Sequence, residues 1–100
     1  MVRHVIVWNL KDEYSGAEKE KIVAGIKEGL EALKGVVPGL VEIKVNTIGL
    51  ASSNSDLMLD SLFENEDALK GYSVHPAHVA VADGKVRPFA KIRSCFDYEV

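Results

Sequence analysis

A chain of 100 residues, 47% of them hydrophobic, is one folded domain spanning residues 1–100, with no room for a second core. Its 12 basic and 15 acidic residues are mixed along the sequence and leave a net charge of −3, which gives no basic field for nucleic acid or an anionic membrane. Cys95 is the only cysteine, so there is no internal disulfide; with a strand-like N-terminus and no apolar span, the expected home is the cytoplasm.

Val2–Leu10 reads as a strand, with His4, Ile6, Trp8 and Leu10 on one face and Arg3, Val5, Val7 and Asn9 on the other. Val5 and Val7 make the second face apolar as well. Both faces then need cover, a first sign of a dimer. After a polar connection, Ser15 opens a helix, with Glu18 at capping-box spacing. Ile22, Ile26, Leu30 and Leu33 repeat at helical spacing, and the charged residues between them read as a solvated face. Gly25 and Gly29 each cost about 1 kcal/mol against alanine, which close packing of helix on sheet would explain. Gly35 marks the stop.

Val37-Pro38-Gly39 turns the chain into a second strand, Leu40–Ile48, with Val41, Ile43, Val45 and Thr47 on one face. Gly49–Asp56 is small and polar and reads as a loop. The third strand, Leu57–Phe63, points Leu57, Leu59 and Phe63 one way and Met58 and Leu62 the other. Asn65 caps the next helix, whose inward residues are Ala68, Leu69 and Tyr72. Pro76 ends that helix and starts another segment, which runs to a turn at Asp83-Gly84. In the last strand Ile92, Ser94, Phe96 and Tyr98 share a face. The order β-α-β-β-α-β is the ferredoxin-like arrangement, an α+β fold with helices on one face of a four-stranded antiparallel sheet. The other face, with Val5 and Val7 beside Val41, Ile43 and Val45, is expected to pack on a second copy of the chain.

Chemistry is concentrated in Tyr72–His78. Histidine titrates near neutral pH, and a phenol can donate to an oxyanion. Tyr72 has the plain alternative of a half-buried helix-end aromatic. His75, before the proline, is expected to be structural, capping the segment that Pro76 starts. His78 lies inside that segment, where its ring can point to the sheet and meet His4. No metal is expected, because His75 and His78 are only two ligands and no second cysteine exists. Cys95 reads as a buried, inert thiol.

His4-Val5-Ile6-Val7, Val37-Pro38-Gly39, Phe63-Glu64-Asn65 and Tyr72-Ser73-Val74-His75-Pro76-Ala77-His78 together resemble the stress-responsive A/B-barrel (Dabb) family over almost the whole chain. The resemblance implies a homodimer forming a dimeric α+β barrel. It also implies a small pocket for an apolar or polyketide-like ligand, and no cofactor. Some members are polyketide cyclases that close a chain by aldol condensation. Carried over, their catalytic base falls on His78 and their oxyanion donor on Tyr72, with His4, Leu57 and Leu59 as pocket lining. Such cyclases have a histidine where this chain has Leu57, so the pocket here is more apolar. Other outcomes that the fold allows are a non-catalytic stress-responsive dimer and a small monooxygenase.

Overall fold

The computed structural model describes residues Met1–Val100. The elements are β1 (Val2–Leu10), α1 (Gly16–Glu31), β2 (Leu40–Asn46), β3 (Leu57–Phe63), α2 (Glu66–Val74), α3 (Pro76–Val81), a π-helical turn (Ala82–Val86) and β4 (Ala90–Glu99). The strands pair antiparallel in the order β2-β3-β1-β4. This is the ferredoxin-like α+β fold read from the sequence. The π turn replaces the simple turn expected at Asp83-Gly84. No helix is long and apolar enough to cross a membrane.

Strand alternation decides what the helices cover. Val2, His4, Ile6, Trp8 and Leu10 are all buried on one face of β1. Their register partners Phe63, Ser61, Leu59 and Leu57 continue that face on β3. Period-two side chains on paired strands must share a face. Ile26 and Leu30 of α1 and Leu69 and Tyr72 of α2 close over it and complete one core.

The helices meet each other as well as the sheet. A Cβ on Gly29 would lie 3.0 Å from Val81 Cγ1 and 3.1 Å from Lys85 Cδ. The close approach is therefore between α1 and the α3–π segment, not between helix and sheet. Gly25 faces open space. Gly39 has φ +81 and sits where a Cβ would be 2.5 Å from Ala68 Cβ, so the turn into β2 needs glycine twice over. Ser15 makes no side-chain cap bond, so the capping box does not close. Asn65 does cap α2, accepting from the Ala68 N–H at 2.8 Å.

The edge strand β2 is closed off by side chains at Val45. Glu31 accepts from the Val45 N–H at 2.9 Å, and Lys27 donates to the Val45 carbonyl at 2.8 Å and to Glu31. Burial pushes the Glu31 carboxyl up, but Lys27 and the Val45 N–H outweigh it and hold it below the ordinary value. At Val45 the edge is therefore a poor template for a further strand.

Two expectations need correcting. Ile43 and Val45 do not belong to the outer face. They pair with Ser61 and Leu59, and both face the helices. A register shift between Leu40 and Glu42 lets Leu40 share that inner face. The outer face of β2 is Glu42, Lys44 and Asn46. Register with Val5, Val7 and Asn9 on β1 puts the outer apolar row on Val5, Val7, Met58, Leu62, Ile92, Phe96 and Tyr98. Arg3 and Asp60, paired at 2.7 Å, lie on the same face. Cys95 is exposed rather than buried. It does point to the helix side, opposite Ile6, but the helices leave β4 uncovered.

Candidate functional site

The break in the second half of the chain positions the site. His75 is extended, with φ −63 and ψ 131, and ends α2. Its Nδ1 accepts from the Ala77 N–H at 3.1 Å, and Pro76 takes the first position of α3. His75 thus caps α3, and the change of direction turns His78 back over α2. The His78 and Tyr72 rings lie 4.1 Å apart at 35°.

Tyr72 is 1% exposed, and its hydroxyl has no hydrogen-bond partner. Phe63 meets its ring edge-on at 4.9 Å. A buried hydroxyl left unpaired loses its hydration without recompense, a cost of about 1–3 kcal/mol. Burial pushes the phenol up to about 12, with Arg93 pulling the other way. The hydroxyl therefore stays protonated and remains a donor.

His78 is half-buried. Its Nδ1 stands 3.3 Å from the Ser73 carbonyl, an acceptor only, so Nδ1 carries the proton and Nε2 is left free. Burial lowers its pKa first; the Ser73 bond opposes this, and Arg87, His4 and Arg93 add to the lowering. A neutral imidazole with a free Nε2 is a base at neutral pH.

Tyr72 and His78 both line a cavity of about 110 Å³. Ile6, Trp8 and Leu59 form its sheet side, Tyr72 and His78 its helix side, and Arg87 and Arg93 add two cations. A larger hollow of about 600 Å³ lies between α1 and the end of β2, with neither histidine nor tyrosine in its lining.

The expected site residues are only partly brought together. Leu59, Tyr72 and His78 line the cavity; His4 and Leu57 do not. Leu57 is packed in the core, and its register partner Trp8 takes the lining place. His4 stands behind Tyr72, ring edge-on at 6.1 Å, and its Nδ1 bonds Asp97 Oδ1 at 2.5 Å. Cys95 Sγ is 3.4 Å from the same carboxylate oxygen. Burial and then Asp97 push the thiol pKa up, so it is a poor nucleophile. Sequence reading missed Arg87, Arg93 and Asp97. Alternation could have found two of them: if Ile92, Phe96 and Tyr98 face out, Arg93 and Asp97 face the helices.

Fold and site together define a ferredoxin-like domain with a tyrosine and a histidine lining a small cavity. The family model for the Stress responsive A/B Barrel Domain matches residues 2–100, and the chain belongs to that family. It is 30% identical over 100 residues to olivetolic acid cyclase of Cannabis sativa, covering 97% of this chain and 94% of the relative. A dimeric protein of unknown function with a ferredoxin-like fold from Bacteroides fragilis superimposes with a TM-score of 0.91 at 30% identity, over 99% of this chain and 95% of that one. Hydroxynitrile lyase from Passiflora edulis shares the fold, with a TM-score of 0.71 at 19% identity over 97% and 90% of the two chains.

Proposed function

We propose that this protein is a homodimeric, cofactor-free acid–base catalyst of carbon–carbon chemistry, acting on a small enolisable carbonyl compound in the cavity between Tyr72 and His78. The observation that carries this reading is the unpartnered Tyr72 hydroxyl, buried beside an imidazole whose Nε2 is free. His78 Nε2 takes a proton from a carbon next to a carbonyl. The C–H electron pair becomes the enolate, whose oxygen accepts from the Tyr72 O–H. The enolate carbon attacks a second carbonyl, and His78 returns its proton to the new alkoxide. The reverse sequence cleaves the same bond.

Membership of a family with a cyclase at 30% identity supports the aldol direction. Cavity size points to a small substrate. About 110 Å³ is well below the 300–1,000 Å³ or so of pockets for larger ligands, so a long polyketide tail would lie outside. The dimer is supported by the open apolar row on the outer sheet face and by the relative described as dimeric. A cytoplasmic home fits a chain with a single, free cysteine.

Exchange of α-hydrogens of small β-dicarbonyl compounds in D₂O, followed by NMR, tests the reading without knowledge of the product. Wild type should accelerate exchange over buffer. His78→Ala should abolish the acceleration, and Tyr72→Phe should reduce it on the order of a hundredfold, the effect of losing one oxyanion donor. A folded wild type that exchanges no member of the panel would leave the non-catalytic stress-protein role.

A further inference from the structure

The chain has three arginines. Arg3 is paired with Asp60, and Arg87 with Asp83 four residues earlier. Arg93 takes part in none of the ion pairs. It points to the helix side of β4, opposite Trp8, and lines the cavity that holds Tyr72 and His78. The nearby Asp97 carboxylate on the same side of β4 is occupied by His4 and the Cys95 thiol. No carboxylate lines the cavity. A chain with net charge −3 thus places two guanidiniums, one of them unpaired, around its small apolar pocket. The Arg93 charge is felt at Tyr72, His78 and Cys95.

A guanidinium is a planar fork that matches a carboxylate in two parallel hydrogen bonds. Arg93 is exposed, so the fit of its fork to the acid group carries the attraction while solvent screens the bare charge. We infer that the pocket's ligand is a small carboxylate whose acid group pairs with Arg93 while its carbonyl end reaches Tyr72 and His78, the class of the 3-oxo acids. The carbonyl end rests on the function proposed above; the acid end rests on Arg93. Arg87, already held by Asp83, is the weaker contributor.

Trp8 is the only tryptophan and lines the cavity, so its fluorescence reports binding. Acetoacetate and pentane-2,4-dione differ only in a carboxylate oxygen replaced by a methyl group. Wild type should bind acetoacetate at least about tenfold more tightly than the dione, the scale of one charge-assisted contact. Arg93→Gln should bring acetoacetate down to the dione's affinity, and Arg93→Lys should restore part of the difference. Melting curves check that the variants fold. Equal affinity of wild type for the two probes would overturn the inference. So would an unaltered preference in Arg93→Gln, no Trp8 response to acetoacetate at tens of millimolar, or inorganic phosphate binding as tightly as acetoacetate. Deuterium exchange on the same samples separates the two proposals. Acid-selective binding without exchange keeps the carboxylate site and removes the enolate chemistry. Exchange without acid selectivity does the reverse.

Discussion

The two faces of the sheet share four strands and have opposite fates. On the inner face Phe63 is 0% exposed under α1 and α2; on the outer face Phe96 is 70% exposed. Both are phenylalanines on strands of regular alternation. What separates them is the layer above. The inner row has its cover within the chain, whereas on the outer face Ile92, Phe96 and Tyr98 stay exposed and Val5, Val7 and Met58 are only partly covered. A chain of this size buries little more than about 60–65% of its unfolded surface, so a second copy is the economical cover.

The contrast is broken most severely at the inner face. Val45→Asp should prevent folding, because an unpaired carboxylate at a fully buried site costs several kcal/mol. Phe63→Ala should lower protomer stability by about 3–5 kcal/mol in urea melts. Phe96→Asp should leave secondary structure intact and convert a dimer to monomer in sedimentation at micromolar concentration. A monomeric wild type, or a dimeric Phe96→Asp, would remove the outer face as the interface. The smallest effects belong to the caps: Asn65→Ala and His75→Ala should each cost about 1 kcal/mol. For His75→Ala the cost should appear in the melting temperature rather than in any rate.

Local chemistry was legible where it acts over a few residues. Alternation in Val2–Leu10, the Asn65 cap and the break at His75-Pro76 follow from rules spanning one or two turns. Tyr72 and His78 were brought together only by the family resemblance; from the residues alone His78 was expected to meet His4, which stands behind Tyr72 instead. Features that depend on where another element ends were not legible. Val41, Ile43 and Val45 alternate cleanly, but alternation gives two rows without saying which one meets the helices. The pairing of Ile43 with Ser61 and of Val45 with Leu59 decides that. Cys95 faces the helix side as its row requires, yet the helices leave β4 uncovered, and no residue in β4 announces it. His4 was placed in the cavity because it shares a face with Ile6 and Trp8. Asp97, two residues beyond Cys95, takes its Nδ1 instead.

The proposed chemistry requires a neutral His78, with its proton on Nδ1 and its Nε2 free for a substrate. Nitrogen-15 NMR of the histidine side chains reads both tautomer and titration directly. His78 should show a protonated Nδ1 and a bare Nε2. Its midpoint should lie below the ordinary histidine value, because burial and then the charges of Arg87, His4 and Arg93 penalise the cation more than the Ser73 bond favours it. Any α-hydrogen exchange should rise with pH through that same midpoint and hold until the phenol ionises near 12. A proton on Nε2, or a midpoint at or above the ordinary value, would rule His78 out as the base.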